Sequence, residues 1–475
     1  MHDFFNSLIH DKSTRRRLFI LYVLDNEKKF VSANSIATKL HCSTRTISSD
    51  ISKLKKELPR NWKISGIKTK GYILKKPINE SLHPIINLYI KESNITKIIL
   101  EIFNNKHYSL EKWSQLLYTN KLTLKQNLKH HFTLLQKNNL NINFRNLQLE
   151  GNEIHVRHYF HIFFYALNVL NGSPLSSSDK ILINKLSKIL NSYNMVIDLH
   201  MLESIIWAFI NRYSYKNFIT KIDTSLFLKI SNFTELEWLH IMTDTIESHY
   251  KITFPKNEKI TLKLFFFLMS VSNLEQGRKT IEFLKCYDQE HYNKYLGFFK
   301  TFTAGHNITD DEKNKLTILL APYYYKSVLH SHFKISREFY FNPKDILTNE
   351  QWPMYKKKLN SLLSWNESGN RTILIKNEFE CLITNAIILI EPFIEKINIL
   401  FLYSGTTGKL NVYQSRLKRK LGERVKIHTN FNNNFSYDFI ITNTPKENVN
   451  TPIIYISETL SPMEITFIKN FIFKK

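Results

Sequence analysis

Residues 32–58, SANSIATKLHCSTRTISSDISKLKKEL, restrict what this chain can fold into more than any other stretch. Ile36, Ala37 and Leu40 make one apolar stripe, and Ile47, Ile51, Leu54 and Leu58 recur at i, i+4, i+7 and i+11 to make a second. That spacing predicts two short amphipathic helices, with His41, Cys42 and Ser43 as the tight turn and Ala37 small enough for a close crossing. Ser43 or Thr44 is expected at the N-cap, where a hydroxyl accepts from an otherwise unpaired backbone N–H. With Ile47 and Ile51 facing inward, Arg45, Thr46, Ser48, Ser49 and Ser52 are left outside. An arginine among small hydroxyls suits base edges and phosphates, because a guanidinium can bond guanine through two N–H groups at once. An ordinary helical hairpin with a polar outer face has the same pattern, so the flanking sequence decides between them.

Both flanks favour a winged helix-turn-helix unit over residues 1–77. After the second helix, WKISGIKTKGYILKK at residues 62–76 alternates apolar and polar residues across Gly66 and Gly71, which predicts a hairpin. Before the first, Arg15, Arg16 and Arg17 open another amphipathic helix carrying Leu18, Leu21, Tyr22 and Leu24. The expected DNA-contacting set is Ser43, Thr44, Arg45, Thr46, Ser48, Ser49 and Lys53 on the helix, with Lys68 and Lys70 in the hairpin. The chain carries a net charge of +25, and residues 1–77 hold 17 Lys and Arg against 6 Asp and Glu. Charge clustered in this way points to a polyanionic partner, double-stranded DNA.

A chain of 475 residues is too long for one core, and its hydrophobic fraction of 43% is enough for several. Three cysteines, Cys42, Cys286 and Cys381, give neither a disulfide framework nor zinc spacing. At the N-terminus the basic cluster follows the apolar residues, the wrong order for a secretory signal, and runs such as Leu264 to Val271 are too short to span a bilayer. The expectation is a cytoplasmic protein with no membrane contact, no metal, no cofactor and no catalytic residues.

Further along, residues 110–135 read as another helix pair, with Trp113, Leu116 and Leu117 on the first and Leu122, Leu128, Phe132 and Leu135 on the second. Lys125, Lys129, His130 and His131 are expected to face solvent or phosphate. Leu140 to Phe144 and Leu147 to Glu153, bent at Gly151, complete a second winged unit within 78–160. It lacks an arginine on its recognition helix, which favours a packing role over DNA reading. From Glu153 to about Ile390 the period is helical, broken at Asn171 to Ser178 and again around Thr303 to Asp311, giving two helical modules at 172–290 and 291–392. Beyond, strands are expected at Lys396 to Tyr403, Val425 to Thr429, Asp438 to Thr442 and Ile453 to Ile456, with helices at Asn411 to Leu421 and Pro462 to Phe471. This alternation predicts a small parallel α/β domain over 395–475. Its first turn, Ser404 to Gly408, has the form of a phosphate loop but no Gly-Lys-Thr, and most such turns bind nothing.

STRTISSDISKL, the second unit closing on LQLEGNEIHVRHYF, the two helical modules and the terminal TPIIYISETLSPMEITFIKNF together resemble the Mga and AtxA type of bacterial virulence regulators. The resemblance covers nearly the whole chain. It implies a multidomain, mainly α fold: two winged helix-turn-helix units, two modules of the phosphotransferase-system regulation domain (PRD) type, and a C-terminal parallel sheet like the EIIB component of sugar permeases. It also implies transcriptional activation of toxin or capsule genes and a phosphotransferase-system phosphodonor; a homodimer through the C-terminal half is expected because symmetric half-sites suit helix-turn-helix proteins. The regulatory histidine of the first module falls on His200, with Arg212 as a cation that the phosphoryl group recruits. In the second module Ile375 or its neighbours stand where a histidine is expected. After the first strand of the last domain stand Ser404, Thr406 and Thr407 in place of the EIIB cysteine, which leaves that domain without a phosphoryl-accepting thiol. Two other readings remain: a phosphotransferase-linked regulator of a carbohydrate operon, and a phosphocarrier enzyme of sugar uptake, disfavoured by the missing thiol.

Overall fold

The computed structural model describes residues 2–171, 176–223, 236–306, 308–335, 337, 341–349, 351–367, 374–393, 397–422, 425–432, 436–445 and 450–473. Residues 172–175 of the expected interdomain loop, 372 and 373 of the run before Ile375, and Lys396 lie outside the described residues. The chain forms two compact units, Met1–Phe298 with Ile318–Asn385, and Phe299–Thr317 with Ala386–Lys475.

The first unit begins with α1 (His2–Leu8), α2 (Lys12–Glu27), α3 (Ala33–Leu40) and α4 (Thr44–Glu57), then a hairpin of β1 (Lys63–Ile67) and β2 (Gly71–Lys75). Asp11, Ser32 and Ser43 cap α2, α3 and α4, each accepting from the backbone N–H three residues on. The expected apolar stripes are the buried ones: Ile36 and Ala37 on α3, and Ile47, Ile51 and Leu54 on α4. The hairpin is antiparallel, with Ile64 opposite Leu74 and Gly66 opposite Tyr72. Its turn is therefore Lys68, Thr69 and Lys70, with Gly66 inside β1 and Gly71 opening β2. Tyr72 exchanges backbone hydrogen bonds of 2.8 Å with Val31, an isolated antiparallel bridge that ties the wing to the segment before α3. Gly71 is required there, since its φ is +97° and a Cβ would stand 2.1 Å from the Val31 carbonyl oxygen.

A second unit of the same plan follows: α5 (His83–Glu92), α6 (Asn94–Phe103), α7 (Leu110–Leu116), α8 (Lys121–Lys137), a hairpin of β3 (Asn141–Asn143) and β4 (Gln148–Glu150), and α9 (Glu153–Asn171). The inward positions of α8 are Leu124, Leu128, His131 and Leu135, the same i, i+4, i+7, i+11 spacing as on α4. Two expectations are corrected in this helix pair. Leu122 and Leu116, read as core, are 64% and 46% exposed. His131, read as solvent-facing, is fully buried, its ring nitrogens at 3.2 Å from Ser7 Oγ and 2.7 Å from Tyr159 Oη. Both helix-turn-helix units share one apolar core, into which α1 sends Phe4, Phe5 and Leu8 and α9 sends Tyr159, Phe160 and Phe163.

The helical part comprises α10 (Ser177–Ser192), α11 (Leu199–Ser214), α12 (Glu237–Tyr250), α13 (Lys256–Met269), α14 (Leu274–Tyr287), α15 (Gln289–Thr303), α16 (Asp310–Phe333), α17 (Pro343–Ile346), α18 (Trp352–Glu367) and α19 (Lys376–Ile390). Among the described residues no helix is long and apolar enough to cross a membrane.

The second unit carries a parallel sheet of β5 (Ile397–Leu402), β6 (Val425–His428), β7 (Phe439–Thr442) and β8 (Ile453–Tyr455) in the order β6-β5-β7-β8. Two helices, α20 (Thr407–Leu421) and α21 (Pro462–Phe473), cover it, with Tyr413, Leu417, Ile465 and Ile468 packed on Ile399, Phe401 and Ile441. The first of these helices starts at Thr407, ahead of the expected Asn411, because Thr406 already has the extended backbone of an N-cap.

Candidate nucleic-acid interface

Helix α4 presents its polar face in two parts. Arg45, Ser49 and Lys53 lie one above another at i, i+4 and i+8, all exposed, and among the described residues their side chains make no hydrogen bond or ion pair. Thr44 is exposed beside them. The other hydroxyls are occupied. Ser43 caps the helix and lies 2.9 Å from the hydroxyl of half-buried Thr46, while Ser48 donates to the Thr44 carbonyl and Ser52 to the Ser48 carbonyl. Ser48 also stands 3.3 Å from the Tyr72 hydroxyl, which ties the helix to β2 of the wing. Lys68 and Lys70 sit exposed at the turn of the hairpin. Of the expected contact residues on this helix, Ser43, Thr46 and Ser48 thus spend their hydroxyls on local structure, leaving Thr44, Arg45, Ser49 and Lys53 open.

The basic cluster that opens α2 does something else. Arg16 donates to Asp50 at 2.8 Å, Arg17 to Glu57 at 3.1 Å, and Arg15 to the carbonyls of Ile9 and His10. Asp50 sits on the inner face of α4 beside Ile51 and is buried, so this pair fastens α2 beneath the polar helix. Part of the positive excess in residues 1–77 is thus structural. An acid between two core isoleucines facing an arginine-rich helix was the signal that sequence reasoning passed over.

In the second unit, Lys125 and Lys129 are exposed on α8, the former 5.7 Å from the centre of the Phe144 ring, and Arg145 is exposed at the tip of its hairpin. The helix that closes this unit is fixed to the helical part by buried charges. Arg157, fully buried, donates to both carboxylate oxygens of Glu258, to Glu153 at 3.2 Å and to the Asn217 carbonyl at 2.9 Å. Arg212 at the far end of α11 donates to both oxygens of Glu153 at 2.8 and 2.7 Å.

His200 occupies the first turn of α11, just after the N-cap Asp198, with its side chain 39% exposed and Nδ1 3.5 Å from Glu203 Oε2. Arg212 is not available to it. Twelve residues separate them, roughly 18 Å along a helix, and Arg212 is committed to Glu153. In the C-terminal sheet the turn after β5 is closed by Asn443, which accepts from the Ser404 N–H at 2.8 Å and donates to the Ser404 carbonyl at 2.9 Å. One N–H that a phosphate loop needs is thereby taken. Cys381 is buried in α19 and burial pushes its thiol up to about 12, which keeps it protonated. Among the described residues no three His, Cys, Asp or Glu side chains gather to hold a metal ion.

Two domain families match, one described as an HTH domain over residues 16–73 and one as a Mga helix-turn-helix domain over residues 78–164. Among curated proteins the chain is similar to the capsule synthesis positive regulator AcpB of Bacillus anthracis, at 29% identity over 31% of this chain and 30% of that one. It is similar to the anthrax toxin expression trans-acting positive regulator of the same organism at 25% identity, over 55% of each chain. A third relative, the capsule synthesis positive regulator AcpA of Bacillus anthracis, is 25% identical over 31% of this chain and 30% of its own. The matches thus span between about a third and about half of those relatives' lengths. With two adjoining helix-turn-helix domains, the second of the Mga kind, and these three regulators among its relatives, the chain is similar to the Mga/AtxA type of regulators.

Proposed function

We propose that this chain is a DNA-binding transcriptional activator of virulence genes, of the toxin or capsule kind, working in the cytoplasm. The observation that carries the reading is the open row Arg45, Ser49 and Lys53 on a capped helix, flanked by a wing tipped with Lys68 and Lys70. Such a helix fits the major groove while the wing lysines meet the phosphate backbone. Relatives that are positive regulators supply the direction of the effect.

The helical part is read as two PRD-like modules, about 172–290 and 291–392, and the last domain, 395–475, as an EIIB-like sheet used for self-association. Three large side chains of α21 support the latter: Met463, Phe467 and Phe471 follow at i, i+4 and i+8 and are 84%, 64% and 44% exposed. A row of that kind on the solvent side favours burial against a second copy. His200 is the phosphorylation site of this reading, open to a phosphotransferase-system donor, with the added dianion favoured by the N-terminal end of α11 and opposed by nearby Glu203. Since α11 ends on the Arg212–Glu153 contact to α9, a shift at His200 has a rigid helix through which to reach the DNA-binding half.

The experiment is genome-wide mapping of bound DNA in the host with the native chain and Arg45→Ala. Discrete sites upstream of toxin, capsule or surface-protein genes, lost in the variant, are expected. Sites confined to sugar-permease operons turn the assignment to a carbohydrate regulator, and no enrichment anywhere rejects DNA binding.

A further inference from the structure

A cleft of about 590 Å³, counting its solvent-filled mouth, opens among α12, α13, α14 and α16 of the first unit. Its walls are Met195, Trp238, Phe267 and Phe283, each at least nine-tenths buried. Most of its polar lining is already occupied by local bonds. Tyr193 donates to Glu237 at 3.1 Å, and Asn273 accepts from the Gln276 N–H while donating to the Asn194 carbonyl. Thr280 donates to the Gln276 carbonyl, and Glu275 pairs with Lys279 at 3.2 Å. What remains is the side-chain amide of Gln276 and the hydroxyl of Tyr325, both more than nine-tenths buried. Among the described residues neither the Gln276 Nε2 and Oε1 nor the Tyr325 Oη has a partner.

We propose that this cleft is a binding site for a small, neutral, planar aromatic molecule with a hydrogen-bond donor and acceptor side by side on one edge, such as an aromatic carboxamide. Three buried polar atoms left unpaired are costly, and such atoms beside an open space are completed either by water or by a ligand. An amide edge is the complement of Gln276, offering an acceptor to its Nε2 and a donor to its Oε1. The Tyr325 hydroxyl keeps its proton, since burial pushes the phenol well above its usual range, so it donates to a remaining acceptor lone pair. Aromatic walls favour a flat ring, stacked or edge-on. A neutral ligand is favoured over a charged one, because moving a charge from water to a site walled by Met195, Trp238, Phe267 and Phe283 costs more than moving an amide. Neither His200 nor any residue of α4 lines the cleft, which gives the chain an input that needs neither.

The test uses the full chain and three probes followed by ligand-observed NMR: benzamide, benzoate and toluene. Benzamide is expected to bind with a dissociation constant in the millimolar range, as suits so small a molecule. Gln276→Leu, nearly isosteric, is expected to weaken it about fivefold or more, while toluene binding stays the same or improves. Benzoate is expected to bind at least about fivefold more weakly than benzamide. Thr280→Trp fills the cleft and is expected to abolish benzamide binding, with the melting curve of each variant showing that it is folded. Benzamide that fails to bind near its solubility limit shows that the cleft holds water only, and benzamide that binds Gln276→Leu as well as the native chain shows that the amide edge is not read; either result overturns the proposal. DNA binding enters none of these readouts, so the result stands apart from the proposed function.

Discussion

The Arg16–Asp50 pair beneath α4 gives a prediction whose sign depends on which partner is removed. Asp50 is buried and accepts from Arg16 Nε at 2.8 Å and more weakly from Nη2 at 3.4 Å, while the Arg16 side chain is 20% exposed. Arg16→Met leaves the Asp50 carboxylate buried without its cation. Breaking a buried pair in this way costs about 3–5 kcal/mol, and residual water access around Arg16 argues for the lower end, about 3 kcal/mol. Asp50→Asn is the milder change, because an amide oxygen still accepts from Arg16, which can also turn to solvent; about 1 kcal/mol is expected. Replacing both, Arg16→Met with Asp50→Leu, removes charge and partner together and recovers most of the loss. Scanning calorimetry reads the difference: at about 2–4 °C per kcal/mol, Arg16→Met lowers the first transition by roughly 6–12 °C and Asp50→Asn by a few degrees at most. An unshifted transition in Arg16→Met, or a larger loss in Asp50→Asn, refutes the argument that this arginine is structural.

Three further outcomes are expected. Burial holds His131 down to about 3, far below the ~6.5 of an unfolded histidine, so the unfolded chain takes up a proton that the folded one refuses as pH falls between those values. The stability present at neutral pH then drops by about 1.4 kcal/mol per pH unit below about 6.5; His131→Phe should flatten the fall in melting temperature between pH 7 and pH 5, and an unchanged profile contradicts the assignment. His200→Ala and His200→Asp should differ in promoter activity while binding DNA with equal affinity, and wild-type activity in both, with no phosphate on protein from the host, removes the switch. Met463→Glu with Phe467→Glu should yield a monomer in sedimentation without loss of melting temperature, whereas an intact dimer moves the interface away from α21.

The first winged unit was legible because its helices obey one period, carry their caps in sequence and leave a single arginine on the outer face. The parallel sheet was legible for a similar reason, its strands being short β-branched runs spaced by helix-length segments. The second unit misled where local pattern met tertiary context. Leu122 looks apolar enough for a core, but the register of α8 is set by Leu124, Leu128 and Leu135, and the position completing that stripe is a histidine, which no polarity scale would place inside. Its partners, Ser7 and Tyr159, lie 124 and 28 residues away, so nothing local announces them. The same holds for Arg212, expected as a cation for a phosphorylated His200, although a helix carries it to the opposite end, where Glu153 waits. The cleft at Gln276 and Tyr325 is assembled from four helices and left no trace in any one of them.

The most direct test of the central claim is DNA affinity measured across salt concentration for the native chain, Arg45→Ala and the double variant Lys68→Ala, Lys70→Ala. If the wing lysines meet phosphate, removing both weakens binding on every sequence and lowers the salt slope by about 2. If Arg45 reads a base, its loss costs about 1–3 kcal/mol on a selected site and little on random DNA. Binding by the native chain that ignores salt, or two variants that bind as it does, would show that the face built from α4 and its wing is not where this protein meets DNA.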